Sequence, residues 1–91
     1  PECQAQRAYI SGRVVDPHGD AIPEVKLNLL NLTLGLTRNS SSDVHGNFRF
    51  PVLLPGQYVL TAQHEGFGPL EIQDLQVGAN DHQQVRLTLR V

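Results

Sequence analysis

The feature that most constrains the fold of this chain is an alternation of apolar and polar residues with a period of two. It recurs in short segments, among them residues 10–14, 58–62 and 85–91, and clusters of Gly, Pro, Asn and Asp separate these segments. Successive side chains of a β-strand point to opposite faces, so the pattern indicates strands with one face in a core and the other in water. Frequent turn residues between such strands are typical of a small all-β sandwich or barrel.

About seven such segments fit the chain, and two of them are irregular. Leucines fall on every second position of residues 30–36, which predicts a third strand that fades into a polar loop over residues 37–42. In the sixth segment, Leu70 and Ile72 share one parity and Leu75 and Val77 share the other, which predicts a one-residue β-bulge near residues 73–74. We therefore predict an all-β, seven-stranded antiparallel Greek-key sandwich over residues 8–91, preceded by a flexible tail over residues 1–7.

The inward positions of the predicted strands are apolar, and this predicts a single core between two packed sheets. A chain of 91 residues is long enough for one such domain and too short for two. The predicted core residues are Ile10, Val14, Leu27, Leu29, Phe48, Phe50, Tyr58, Leu60, Val85, Leu87 and Leu89.

The composition argues against several classes of partner. The net charge is −2 and the seven Lys and Arg residues are spread from Arg7 to Arg90, so we expect no basic face that would neutralise phosphates and no nucleic-acid partner. No apolar run approaches the roughly 20 residues that cross a bilayer, so we expect no direct membrane insertion. Cys3 is the single cysteine, which leaves no internal disulfide and no thiolate cluster for a metal.

No arrangement of reactive side chains points to an enzyme or a metal site. The histidines form no paired ligand motif and lie in or beside predicted turns, at His18, His45, His64 and His82. Four oxygen-bearing residues of two turns would surround calcium only if the turns converged, and turn capping is the simpler interpretation for Asp16, Asp20, Asp43 and Asn47. The serines at 40–42 lack a strained nucleophile elbow. We therefore predict no catalytic residue, no cofactor and no metal.

Several turns and strands together resemble carboxypeptidase regulatory-like domains. The matching pieces, in order, are GRVVD at 12–16, Gly19, IPEV at 22–25, SDVHGNFRF at 42–50, LPGQYVL at 54–60 and EGF at 65–67. The resemblance implies a prealbumin-like fold without chemistry of its own. Such domains are attached to metallocarboxypeptidases, to the amino-terminal part of TonB-dependent receptors and to bacterial surface proteins. It therefore implies a secreted or cell-envelope location.

Each matching turn residue also has a local physical reason. Gly46 and Gly56 suit turns that need a positive φ, and Pro55 fixes the backbone before Gly56. Asp43 can accept hydrogen bonds from backbone N–H groups of its own turn. Tyr58 is a large core residue whose hydroxyl needs a partner. We assign these five residues a structural role.

Two other chemistries have few residues to support them. Carbohydrate binding relies on exposed aromatic rings, and Tyr9 and Phe67 are the plausible platforms in a chain without Trp. An internal Lys–Asn isopeptide bond, as in collagen-adhesin repeats, needs a lysine in the first strand. That strand carries Arg13 instead, and Lys26 lies on the outward parity of the second strand.

The predicted function is that of a non-catalytic accessory module that contacts other domains of its host protein or another envelope protein. The alternative is a weak carbohydrate-binding or metal-binding module. The candidate interaction surface is the stripe of Leu30, Leu32, Leu34 and Leu36, which is more apolar than an edge strand tolerates in water. The other interpretation is that these leucines complete the core, and the sequence leaves both open.

Overall fold

The computed structural model describes residues 8–91, which form seven strands in two sheets. The strands are β1 (Ala8–Val15), β2 (Lys26–Asn31), β3 (Leu36–Ser41), β4 (Asn47–Leu53), β5 (Gly56–Gln63), β6 (Leu70–Val77) and β7 (His82–Thr88). One sheet has the order β4-β1-β7 and the other the order β3-β2-β5-β6. The predicted all-β sandwich is confirmed. The predicted tail over residues 1–7 lies outside the described residues.

One strand pair departs from the predicted antiparallel arrangement. β1 and β7 pair in parallel, with register from Tyr9 opposite His82 to Val15 opposite Thr88, whereas the other pairs are antiparallel. A parallel pair needs a long crossover between its strands, and the five intervening strands provide it. The prediction of a wholly antiparallel sandwich is therefore wrong for this pair.

The core lies between the two sheets and contains the predicted residues with one exception. The predicted positions are buried to 4% exposure or less, apart from Val85, which is only partly buried and packs against the core. Val85 belongs to β7, an edge strand of the three-stranded sheet, so one of its sides has no neighbouring strand. Phe48 and Phe50 meet edge to face, with ring centroids 6.1 Å apart.

The predicted bulge in the sixth segment is confirmed. Asp74 has a φ of 60°, and the register between β5 and β6 shifts between Tyr58 and Leu60. This extra residue lets Leu70 and Ile72 on one side of the bulge, and Leu75 and Val77 on the other, all contact the core.

The predicted third strand over residues 30–36 is wrong. β2 ends at Asn31, and a turn separates it from β3, which begins at Leu36 and runs through the polar residues expected to form a loop. The buried Asn31 side chain ends the strand, because its Oδ1 accepts the N–H groups of Thr33 (2.9 Å) and Leu34 (3.0 Å). Such a side-chain turn replaces the ladder hydrogen bonds of a continued strand.

Candidate functional site

One end of the sandwich brings together apolar side chains from two turns. The Leu32 N–H donates to the Gln57 carbonyl (2.9 Å), which joins the β2–β3 turn to the start of β5. Ala8, at the start of β1, pairs with Leu53 at the end of β4, so the first strand begins at this end as well. We name its exposed apolar side chains the leucine end: Leu32, Leu34, Leu36, Val52 and Leu54.

The leucine end is open to solvent to an unusual degree. The exposed fractions of its side chains run from 51% for Leu34 to 69% for Val52. The Arg38 guanidinium ties β3 to the end of β4, because it donates to the carbonyls of Pro51 (2.8 Å) and Val52 (3.2 Å). Single exposed aliphatic residues are common, whereas several in adjoining segments form the kind of patch that marks contact sites.

The structure divides the predicted leucine stripe. Leu32, Leu34 and Leu36 lie at the leucine end and are more than half exposed, so the interpretation that they complete the core is wrong for these three. Leu30 is separate from them. It is half-buried on β2, where it pairs with Val59. The interaction role of the stripe stays a prediction.

The opposite end is built on a turn motif that occurs twice. Asp43 Oδ1 accepts the N–H groups of His45 and Asn47, each at 2.9 Å, and the Gly46 N–H donates to the Asp43 carbonyl. These bonds lower the pKa of Asp43, the Asn47 N–H contributing most. Gly46 has a φ of 78°, and a Cβ there would lie 2.5 Å from the Val14 carbonyl oxygen. The predicted turn residues Asp43 and Gly46 thus close the β3–β4 turn.

The β1–β2 turn repeats this arrangement. Asp16 Oδ1 accepts the N–H groups of His18 and Asp20, each at 2.9 Å, and Gly19 donates to the Asp16 carbonyl. The shared pattern is Asp-x-His-Gly-Asp/Asn, which sequence reasoning overlooked although it is visible at residues 16–20 and 43–47. Both aspartates direct an oxygen to backbone N–H groups, the turn capping expected of them.

The remaining predicted turn residues lie at the leucine end. Pro55 is exposed and precedes β5, which begins at Gly56. The Tyr58 hydroxyl donates to the Leu54 carbonyl at 2.5 Å, which supplies the partner that a buried tyrosine needs. A Cβ at Gly56 would lie 3.3 Å from Asn31 Nδ2, so this glycine lets the β4–β5 turn approach the buried Asn31.

The described histidines and serines have different contacts and lie at different places in the fold. His82 stacks on Tyr9, and His64 meets the Phe67 ring edge-on. Ser40 Oγ donates to the Arg49 carbonyl, whereas the buried Ser42 Oγ donates to the Ile22 carbonyl. Among residues 8–91, no three His, Cys, Asp or Glu side chains are grouped so that they could hold a metal ion.

Neither predicted aromatic platform presents a free, exposed ring. Tyr9 has His82 stacked at 4.2 Å between centroids and the Arg49 guanidinium 4.6 Å from its ring centre. Because β7 and β4 lie on opposite sides of β1, these two groups come from opposite sides of Tyr9. Phe67 is half-buried and packs against the core.

Three arginines lie together on one face, although the basic residues are spread along the sequence. Arg13 and Arg86 are direct partners on β1 and β7, and Arg49 on β4 lies opposite Ser11 of β1. All three point away from the core, on the outer face of the three-stranded sheet. The strand pairing brings together cations that are far apart along the chain, which their spacing in the sequence did not reveal.

The seven strands and their order in two sheets define the class, a prealbumin-like β-sandwich domain. The chain belongs to the carboxypeptidase regulatory-like domain family, whose model matches residues 9–90. Domains of this family are non-catalytic accessory modules of larger proteins. A search of curated proteins found no significant match to the chain. Within the described part of the chain, no helix is long and apolar enough to span a membrane.

Solved structures share the fold at low sequence identity. A candidate carbohydrate-binding protein from Bacteroides uniformis superposes with a TM-score of 0.73 and 15% identity, over 90% of this chain and 40% of that one. 3-Chlorocatechol 1,2-dioxygenase from Rhodococcus opacus gives 0.76 and 14%, over 94% and 60%. A chain of a type II cohesin–X-dockerin complex from Acetivibrio cellulolyticus gives 0.69 and 14%, over 90% and 56%. This chain thus spans less than two thirds of each of these structures.

Proposed function

We propose that this domain is a non-catalytic accessory module of a larger secreted or cell-envelope protein, and that its leucine end docks against another domain of that protein. The observation that carries the proposal is the leucine end itself, where each of five aliphatic side chains is more than half exposed. A partner that covers such a patch removes its apolar surface from water, which is the main favourable term in protein association. Membership in a family of accessory domains supports the same interpretation.

The position of the first strand favours a partner in the same polypeptide. Ala8 pairs with Leu53, so the backbone reaches β1 beside Val52 and Leu54 of the leucine end. A domain that precedes this one along the chain would therefore be held next to the exposed leucines. A tethered partner needs little intrinsic affinity, because the linker keeps its effective concentration high.

The secreted or cell-envelope location is supported by the family resemblance of the turns. The same resemblance connects the domain with the attached modules of metallocarboxypeptidases, TonB-dependent receptors and bacterial surface proteins. The cohesin–X-dockerin complex, one chain of which shares this fold, is a protein–protein assembly.

Lysine substitutions in the β2–β3 turn test docking through the leucine end. In the double variant Leu32→Lys, Leu34→Lys we expect the free energy of unfolding to change by less than about 1 kcal/mol, because both side chains are half exposed. Binding of the domain to the separately produced remainder of the longer protein should fall at least about tenfold, since charged residues replace the centre of the apolar contact.

Val44→Lys is the matched control, because Val44 is 77% exposed in the turn at the opposite end. It should leave both stability and binding unchanged. Binding of the double variant with wild-type affinity would contradict the proposal. Unfolding of the double variant would contradict the expectation that these exposed leucines contribute little to stability.

A further inference from the structure

The outer face of the three-stranded sheet carries three arginines, and among the described residues that line it Asp43 is the one carboxylate. Arg13, Arg49 and Arg86 line one shallow groove, with neutral polar side chains between them, and we call this surface the arginine face. The neutral polar side chains of the groove are Ser11, Asn47 and Gln84 on this sheet, with Ser40 and Ser41 of β3 beside them. The alternate residues of the same strands point to the other face of the sheet and lie in the core: Ile10, Phe48, Phe50 and Leu87.

Contacts among residues 8–91 leave these charges largely uncompensated. Arg13 Nε donates to the His45 carbonyl (3.1 Å), and Arg49 lies over the Tyr9 ring. The Arg86 side chain makes no hydrogen bond or ion pair with any residue that the structure describes. Asp43 is the one carboxylate among the described residues that line the groove, and its Oδ1 accepts backbone N–H groups of its own turn.

The pairing of Arg13 with Arg86 is unfavourable for the domain alone. The two are direct cross-strand partners on the exposed side of a parallel pair. Like charges in this position repel each other and destabilise a sheet. A ligand with negative charge would relieve the repulsion and gain charge-assisted hydrogen bonds from both guanidinium groups.

We propose that the arginine face binds an acidic polysaccharide, a sugar polymer that carries carboxylate groups along its length. The planar guanidinium group matches a carboxylate with two parallel hydrogen bonds. The side chains of Ser11, Asn47 and Gln84 can donate to and accept from sugar hydroxyls. The face thus offers fixed cations separated by neutral hydrogen-bonding groups, which fits a chain of alternating acidic and hydroxyl groups.

The other anionic macromolecules fit this face less well. A protein partner needs buried apolar or aromatic anchors. The apolar residues that line this groove are Phe48, which is 4% exposed, and the half-buried Val85. A single-stranded nucleic acid needs aromatic rings on which bases stack, and the Tyr9 ring is already covered by His82 and Arg49.

Affinity electrophoresis in gels that contain polygalacturonate, or neutral dextran as a reference, tests the proposal. We expect polygalacturonate to retard the wild-type domain and dextran to leave its mobility unchanged. The double variant Arg13→Gln, Arg86→Gln should bind polygalacturonate at least about tenfold more weakly, because two charge-assisted contacts are lost. Added salt should weaken the wild-type interaction, as expected for exposed charges.

The matched control is Lys26→Gln, Arg90→Gln, which removes the same charge from exposed positions outside the groove. It should keep the affinity within about twofold of wild type, since the loss depends on position and not on net charge alone. Wild-type mobility that polygalacturonate does not change at low ionic strength would overturn the proposal. An equal loss in both double variants would also overturn it.

Two competitors separate the ligand classes. Poly-glutamate or a single-stranded oligonucleotide that binds as tightly as polygalacturonate would overturn the polysaccharide proposal and assign the face to that class of ligand. Folding of each variant is checked by its thermal midpoint. Arg86→Gln alone removes the like-charge pair, so its midpoint should be at or above that of wild type, and its affinity should fall in the same direction as that of the double variant.

Discussion

Short polar side chains mark the ends of three strands, β1, β2 and β3, where they accept backbone N–H groups. Asn31 accepts two backbone N–H groups through Oδ1 and ends β2 within a run of leucines that would otherwise continue as a strand. Asp16 and Asp43 do the same at the opposite end. In each case a side-chain acceptor replaces the ladder bonds that the strand would have made. The Asn31 turn therefore places Leu32 and Leu34 outside the sheet, where they are exposed.

The charge of the Asp43 carboxylate should contribute to stability in a pH-dependent way. Its pKa lies below the ordinary value of 3.8, because the N–H groups of Asn47 and His45 donate to it in the folded state. A depressed folded pKa stabilises the domain above the unfolded value, and the contribution disappears as the pH falls through the folded pKa. Asp43→Asn keeps an acceptor oxygen but removes the charge.

We expect Asp43→Asn to lower the thermal midpoint at pH 7 relative to wild type. The difference should be constant down to about pH 5 and should shrink as the pH falls below 3.8. Thermal unfolding of both proteins across this range measures it. A difference that stays the same from pH 7 to the acid limit would show that the charge of Asp43 has no part in the effect.

Phe50 is the largest of the fully buried side chains, with 1% exposure. Phe50→Ala should lower the free energy of unfolding by about 3–5 kcal/mol, since it removes buried surface and leaves a cavity. Val44→Ala, at a position that is 77% exposed, should change it by less than about 0.5 kcal/mol. Denaturant unfolding measures both, and a loss below about 1 kcal/mol for Phe50→Ala would contradict its place in the core.

At the scale of strands, the parallel β1–β7 pair depends on a close approach at Gly12. A Cβ on Gly12 would lie 2.0 Å from the Val85 carbonyl oxygen and 2.8 Å from Phe48 Cζ. Neither the backbone oxygen nor the buried ring can move without disturbing the sheet or the core. The glycine is therefore required by the packing of β7 and β4 around β1.

Gly12→Ala should destabilise the domain by at least about 1–3 kcal/mol, the usual cost of overpacking a filled site. Gly68→Ala is the comparison, because its Cβ would lie 3.4 Å from the Arg90 carbonyl oxygen and meet nothing closer. It should be neutral or slightly stabilising. Equal losses of unfolding free energy in the two variants would show that the contact at Gly12 is not the cause.

The sequence predicted those elements that local pattern determines. Parity alone located the Asp74 bulge, and the residues that alternation assigned to the core are buried apart from Val85. Three further core residues were not among those predicted: Ile22, Val25 and Leu53. The pattern failed where a tertiary or side-chain interaction dominates. The polar segment that was expected to be a loop forms β3, because it pairs with β2 on the side that β5 does not cover. The run of alternating leucines does not continue as a strand, because the Asn31 side chain forms a turn after β2.

The surface could be predicted less well than the core, because it depends on which strands become neighbours. The leucines were recognised as candidates, but their position at one tip with Val52 and Leu54 required the β4–β5 turn to lie beside them. The arginine face was not predicted, because Arg13, Arg49 and Arg86 become neighbours only through the β4-β1-β7 strand order. A parallel pair between the first and last strands has no local signal in the sequence.

At the scale of the whole molecule, the domain is elongated, with extents of 48 × 23 × 16 Å. The leucine end occupies one tip, and the two Asp-x-His-Gly turns occupy the other. The arginine face lies on the outer side of one sheet, separate from both. Apolar and charged surfaces are thus kept apart, so docking through the leucine end leaves the arginine face open to a ligand.

Hydroxyl-radical footprinting of the leucine side chains is the sharpest test of docking through the leucine end, because it measures exposure in the isolated domain and in the longer protein alike. We expect the labelling of Leu32 and Leu34, which are half exposed in the isolated domain, to fall several-fold in the longer protein. Labelling of Val44 at the opposite end should stay the same in both. Equal labelling of Leu32 and Leu34 in the two proteins would contradict docking through the leucine end.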